Sequence, residues 1–326
     1  MVNILMLSKW HVHAEGYARS VGEQPDAQIT CVWDEDAARG KAWAEKLNVD
    51  FEPDLAKALA RSDVDAVVIE TATSEHKNIM IAAANAGKHI FTEKAMALTV
   101  ADCNAITEAV KKNNVKFCVS LAQLTNPRIQ LCKKAIDEGL LGDITYMRMR
   151  TAHDGSSRGW LPEYWYDVEK AGGGAMMDLG CHPMYTASYL LGKPKRIASM
   201  FNTTFAPNPE ADDNAVCVVE FENNAIAVLE TSFVSPYNAG VFELLGTKGA
   251  IIFDRGELKM RTKDTEGGWL IPDKMPDALP LAMRNWLDAI INGTELIYDT
   301  TKGTALTELL ENAYISHKEQ KIVEFK

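Results

Sequence analysis

Residues 64–99 read VDAVVIETATSEHKNIMIAAANAGKHIFTEKAMALT. Within the first seven, Ala66–Ile69 form an unbroken, mostly β-branched apolar run, the pattern of a strand buried on both faces. HKNIMIAAANAG (76–87) spaces its apolar residues as a helix and stops at Gly87, and KHIFT (88–92) reads as a short strand centred on Ile90-Phe91. Strand, helix and strand in succession form a βαβ unit with parallel strands and a right-handed crossover.

The alternation continues in both directions. Upstream lie a strand at 3–7, a helix at 15–22, the strand QITCVW (28–33) and a helix at 37–47. Downstream lie a helix at 100–114 and the strand VKFCVS (115–120). Residues 1–121 are therefore expected to be an α/β domain, a doubly wound parallel sheet of the Rossmann kind. After Leu121 the pattern changes. A helix at 127–139 precedes a long alternating strand, ITYMRMRTAH (144–153), and several alternating strands follow between 195 and 262. Asn223-Asn224 marks a hairpin turn, and helices near 281–292 and 302–318 close the chain. Residues 122–326 are read as a second α/β domain with a large, mostly antiparallel open sheet.

The 326 residues, 47% hydrophobic and 24% charged, suit two globular domains. A net charge of −11 disfavours nucleic acid and anionic membrane surfaces as partners. No apolar run is long enough to span a bilayer, and the N-terminus lacks a signal-peptide pattern. Six scattered cysteines without a C-x-x-C pair read as buried thiols, so a cytoplasmic location is expected.

Four stretches could carry chemistry. At LSKWHVHAEG (7–16) a strand meets a helix N-terminus, a place suited to a pyrophosphate. The glycine positions of G-x-G-x-x-G hold Ser8, Trp10 and His13, so an ordinary βα turn with an aromatic plug is the other reading. In VWDED (32–36), Asp34 ends the second strand where a ribose 2′-hydroxyl would be bound. Glu35 and Asp36 would repel a 2′-phosphate, favouring NAD over NADP; the alternative is that Asp34 caps the next helix. Glu93 and Lys94 end a buried parallel strand, where ligands of open sheets bind, and a lysine there can steady an alkoxide. In AGGGAMMDLGCHPMY (171–185), Asp178 and His182 share a face if the segment is helical, and histidine can take a proton from an alcohol. A capping Asp and a core His is the plainer account.

Together these stretches resemble the Gfo/Idh/MocA oxidoreductases, over nearly the whole chain. Residues 64–99 look like the family's strand–T-P-x-x-x-H–helix–G-K-H-V–E-K-P segment. GGGAMMDLGCHPMY is similar to G-G-G-x-x-x-D-x-G-x-H, and LLGTKGAII to the G-T-K-G strand of the second domain. WHVHA resembles a subgroup's G-x-G-H-W-H-A, with His11 and His13 kept. Ala72 and Ala95 stand where the family has prolines, and Tyr185 where it often has Asp.

The resemblance implies NAD as cofactor, with Lys94, Asp178 and His182 catalytic. It implies cofactor contacts from Ser8, Trp10, His11, Val12, Asp34, Thr71, Ala72, Thr73, His76, Glu93, Lys94 and Gln123. It places Trp10 and His11 lining or covering the pyrophosphate. Substrate contacts are expected from Lys94, His153, Asp178 and His182, with Trp160, Tyr164 and Trp165 as sugar platforms or as core packing. The expected activity is hydride exchange between NAD and a secondary alcohol of a sugar, cyclitol or related polyol, in a homo-oligomer (dimer or tetramer). Alternatives are a redox-neutral glycoside-cleaving or epimerising enzyme that holds NAD tightly, and a non-catalytic sugar or dinucleotide sensor. A metal site of His11-x-His13 with Asp178 and His182 is disfavoured, and no metal is expected.

Overall fold

The computed structural model describes residues 1–325 apart from 237–239, 255 and 266. The elements begin β1 (Val2–Leu7), α1 (Ala14–Gly22), β2 (Ala27–Trp33), α2 (Ala37–Leu47), β3 (Asp50–Phe51) and α3 (Leu55–Ala60). Next come β4 (Ala66–Ile69), α4 (His76–Asn85), β5 (His89–Thr92), α5 (Val100–Lys112), β6 (Phe117–Val119) and α6 (Pro127–Asp137). They continue with β7 (Ile144–Ala152), α7 (Val168–Ala171), α8 (Cys181–Leu191), β8 (Pro194–Asn202), β9 (Asn214–Phe221) and β10 (Ile226–Ser232). The last are β11 (Val241–Gly246), β12 (Ala250–Asp254), β13 (Glu257–Arg261), α9 (Ala282–Asn292), α10 (Thr300–Glu319) and β14 (Val323–Glu324).

The chain forms two compact units, one of residues 1–120 with 280–307, the other of 121–279 with 308–326. The first holds a parallel sheet in the order β3-β2-β1-β4-β5-β6. Strand order reverses between β1 and β4, which opens a crevice at their carboxyl ends. All of β4 and nearly all of β1 are buried, as their unbroken apolar runs require. Asp36, Asp54 and Thr99 accept backbone N–H groups at the starts of α2, α3 and α5 and so fix where these helices begin. The two-residue β3 and the short α3 lack a periodic signature and went unread in the sequence.

One boundary is corrected. Residues 280–307 had been assigned to the second domain, but they pack into the first unit. The apolar face of α9 explains this: Met283, Trp286, Leu287 and Ala289 are buried, and α9 packs on β5 and β6. The Trp286 ring lies 5.6 Å from that of Phe91. Arg284 grips Asp26 with two parallel hydrogen bonds of 2.9 Å each.

The second unit is an eight-stranded sheet in the order β13-β12-β11-β7-β10-β9-β8-β14, antiparallel throughout except for the β7–β10 pair. Alternation decides its faces: Ala215, Cys217, Val219 and Phe221 of β9 point into the core while their neighbours point away. Helix α8 packs on β7 and β10. The β9–β10 hairpin turns through Asn224, at a φ of 67°. Among the described residues no helix is long and apolar enough to cross a membrane, and all six cysteines are buried without a disulfide.

Candidate active site

The first unit's candidate residues gather at the carboxyl ends of β1, β2, β4 and β5. Ser8 has a φ of 73°, so this serine adopts the left-handed turn that a first glycine would supply. Its hydroxyl accepts from Trp10 N at 3.0 Å, which holds the turn closed. Other turn amides are also engaged: Ser8 N with Trp33 O, Lys9 N with Asp34, His11 N with Glu70 O, and His13 N with His11 Nδ1. Trp10 is buried, its ring tilted 46° to that of His11, whereas Val12 is 46% exposed.

Asp36, not Asp34, caps α2, which removes the capping alternative for Asp34. The buried Asp34 carboxylate accepts from Lys9 N (2.8 Å), Asp36 N (2.8 Å), Arg39 Nε (3.0 Å) and Arg39 Nη2 (2.6 Å). Arg39 also reaches Glu35 at 2.7 Å and Ser8 Oγ at 3.3 Å. Sequence reasoning missed Arg39, although an arginine five residues after the strand-end acid, on the first turn of α2, was a readable signal. It partly neutralises the acidic run from which a preference for NAD was inferred.

At the end of β4, Glu70 is wholly buried, and neither of its carboxyl oxygens has a hydrogen-bond partner among the described residues. Burial and the charge of Glu93 push its pKa well up. Glu93 is held low although burial opposes this, because it takes a hydrogen bond from His13 and sits near the charges of His11 and Lys94. Glu93 also accepts from the Tyr17 hydroxyl and from Lys94 N at 3.0 Å, and Tyr17 bonds to Ser120 Oγ at 2.6 Å. Lys94 is 5% exposed. Ala72 is buried and Thr73 half-buried at the start of the turn before α4. His76, expected at the cofactor, is 1% exposed and turns both ring nitrogens to main-chain carbonyls: Ala95 (3.0 Å), Met96 (3.3 Å) and Thr71 (3.3 Å). In the structure it ties the β4 and β5 loops together, and burial keeps its pKa low.

The crevice fits a dinucleotide on two observations. The buried Thr71 Oγ1 has no hydrogen-bond partner among the described residues, and the N-cap of α1, His13, supplies no side-chain acceptor to the first helical turn.

In the second unit, Gly172 ends α7 at a φ of 88°. Gly174 must be glycine because a Cβ would come within 2.0 Å of Asp212 O, and one on Gly173 would meet the Tyr314 hydroxyl at 2.0 Å. Asp212 accepts from Gly174 N (2.9 Å), Met176 N (2.7 Å) and the Tyr314 hydroxyl (2.7 Å). This buried carboxylate anchors the π-helical turn Met176–Gly180 that carries the half-buried Asp178. Sequence reasoning did not find Asp212, which lies far along the chain from the segment it holds. His182 lies in the first turn of α8, its Nδ1 2.7 Å from the Tyr185 hydroxyl. That hydroxyl accepts from Gln123 N at 3.0 Å, so its own proton can be given to His182. Gln123, expected at the cofactor, thus uses its amide to set Tyr185.

The expected sugar platforms divide. Trp165 is 5% exposed and belongs to the core, whereas Trp160 (54%) and Tyr164 (39%) face outward. His153 stacks on Phe233 with centroids 4.8 Å apart, and the Trp160 ring lies 4.6 Å from it. Trp160 Nε1 donates to Asp154 at 3.0 Å. Burial lowers the pKa of His153 against the charges of Asp178 and Asp154.

A six-stranded parallel sheet in the strand order of doubly wound dinucleotide-binding domains, joined to a large mostly antiparallel sheet, defines a two-unit α/β architecture. Residues 12–121 match the family model described as "Oxidoreductase family, NAD-binding Rossmann fold", and residues 129–252 match the GFO/IDH/MocA C-terminal domain. The chain belongs to the Gfo/Idh/MocA family of NAD-binding oxidoreductases. It is 29% identical over 304 residues to the scyllo-inositol 2-dehydrogenase (NAD(+)) of Bacillus subtilis (strain 168), covering 89% of this chain and 85% of that one. It is 29% identical over 240 residues to a 2,7-anhydro-N-acetylneuraminate hydratase of Mediterraneibacter gnavus (72% and 63% covered). Among solved structures, levoglucosan dehydrogenase in complex with NADH and levoglucosan shares the fold, at a TM-score of 0.86, 21% identity and 99% coverage of both chains.

Proposed function

We propose that this protein is an NAD-dependent dehydrogenase of a sugar, cyclitol or related polyol, with Lys94, Asp178 and His182 acting on one secondary alcohol. The observation that carries the reading is the His182–Tyr185–Gln123 chain. It fixes the imidazole through Nδ1, so Nε2 is the nitrogen that exchanges a proton with substrate.

When bound, NAD supplies the hydride acceptor at its nicotinamide. The dinucleotide would be held by the β1–α1 turn with Ser8, Trp10, His11 and Val12, by Thr71 to Thr73, and by Glu93. Asp34 and Arg39 would meet its ribose. Lys94 stabilises negative charge on the substrate oxygen, and Asp178 orients the hydroxyl. His182 takes the hydroxyl proton at Nε2 as its Nδ1–H donates to Tyr185. In the reverse direction the imidazolium keeps its Nδ1–H on the Tyr185 hydroxyl and returns the Nε2 proton to the substrate oxygen. A tyrosine hydroxyl serves both tautomers; a carboxylate at that place would favour Nδ1–H alone. Trp160 and Tyr164 offer exposed aromatic faces for a sugar ring. A homo-oligomer and a cytoplasmic location complete the reading.

A second reading is redox-neutral conversion with NAD held through turnover, favoured by the relative named as a hydratase. The test is a panel of inositols, anhydrosugars and hexoses with NAD⁺, followed at the NADH absorbance. Steady NADH production supports the dehydrogenase. Conversion of a sugar with no net NADH supports the second reading, and no conversion by either measure refutes both.

A further inference from the structure

The geometry points to a binding site for a divalent transition-metal ion in the first unit, built from His11, His13 and Glu93 with Glu70 beside them. One potential ligand atom from each of His11, His13 and Glu93 lies within 4.8 Å of the others. His13 Nδ1 and Glu93 Oε2 are 3.2 Å apart, close to the separation of two ligands each ~2 Å from one tetrahedral ion. The sequence offered only His11-x-His13 on a turn. The fold adds Glu93 from the end of β5, in place of the Asp178 and His182 weighed earlier.

The independent observation is Glu70. It is 0% exposed, neither oxygen has a hydrogen-bond partner among the described residues, and Oε2 lies 3.8 Å from His11 Nδ1. A buried carboxyl without a donor is expensive, and a cation beside it meets that cost. Burial is graded around the cluster: Glu70 and Glu93 are at most 4% exposed at the side chain, His11 is 7%, and His13 is 53%. An ion therefore has an entry path at His13 and a dry wall behind it. Two imidazoles with one carboxylate suit Zn²⁺ or a similar ion better than Mg²⁺ or Ca²⁺, which prefer oxygen ligands. Three protein ligands leave a fourth position for water or substrate, the arrangement of a reactive rather than a purely structural ion. The site lies wholly in the first unit and shares His11 and Glu93 with the proposed dinucleotide cradle, so ion and cofactor compete for it and metal uptake is read without NAD.

The experiment uses the full chain, stripped with chelator and titrated with Zn²⁺ in the absence of NAD. Uptake is read by calorimetry, and Co²⁺ absorption reports ligand geometry. One equivalent should bind in the micromolar range or tighter, with a tetrahedral Co²⁺ spectrum. His13→Ala, at an exposed position that should leave the fold intact by circular dichroism, should weaken binding by at least ~100-fold, and Glu70→Gln by at least ~10-fold. No saturable Zn²⁺ uptake by the wild-type chain, or uptake unchanged in folded His13→Ala, would overturn the assignment.

Discussion

Replacing Tyr185 with Phe removes one oxygen and tests how His182 is held. That oxygen accepts from Gln123 N at 3.0 Å and lies 2.7 Å from His182 Nδ1. The residue is 3% exposed, so water cannot readily take its place. Leaving a buried donor or acceptor unmet costs about 1–3 kcal/mol, and each ~1.4 kcal/mol appearing in the barrier is tenfold in rate. If about half falls on the imidazole's orientation, kcat should drop by about 3–10-fold, and by up to ~100-fold if nearly all does. KM should change little, because Tyr185 acts through His182 rather than on substrate. The remainder appears as a loss of a few degrees in Tm. The assay is steady-state kinetics on the best substrate of the polyol panel, with ¹⁵N spectra of the imidazole to read the tautomer. Unchanged kcat together with an unchanged His182 tautomer would refute the reasoning.

Lys94→Ala and His182→Ala should each lower turnover by at least ~10²-fold while His182→Ala still binds NAD; near-normal turnover in both, by the same kinetics, removes the site from consideration. The wild type should bind NAD more tightly than NADP by fluorescence titration. Asp34→Ala should narrow that gap further than an acid deletion alone, because it releases Arg39 toward a 2′-phosphate. Arg284 holds the pKa of Asp26 below its usual value. That contribution is present above the unfolded carboxylate range and is lost as pH falls through the lowered value. Asp26→Asn should therefore cost at most ~1 kcal/mol at neutral pH, given the partial exposure of both groups, and nothing in strong acid, read as paired denaturation curves.

The parallel sheet was legible because its strands are buried on both faces and its helices carry regular stripes. The antiparallel sheet followed from alternation and from the Asn223-Asn224 turn. Elements too short for a period, β3 and α3, were not legible. Nor was the return of 280–307 to the first unit, because a helix's apolar face does not say which surface it will cover. At the candidate site, motif residues such as Lys94, Asp178 and His182 could be named. Their supports could not: Arg39 on Asp34, Asp212 on the glycine loop, and Tyr185 on His182 are pairings made by the fold. Trp165 shows the limit of composition, since an aromatic run cannot say which ring is core and which faces outward. Ser8 shows that a backbone conformation can persist when the glycine that usually marks it is gone.

The central claim is hydride exchange between a secondary alcohol and NAD. It is tested most directly with the best panel substrate deuterated at its ring carbons, followed by mass analysis of the recovered cofactor. The account predicts deuterium on the nicotinamide of NADH in the wild type and its near-absence with His182→Ala. Substrate conversion that leaves the cofactor free of deuterium would contradict it.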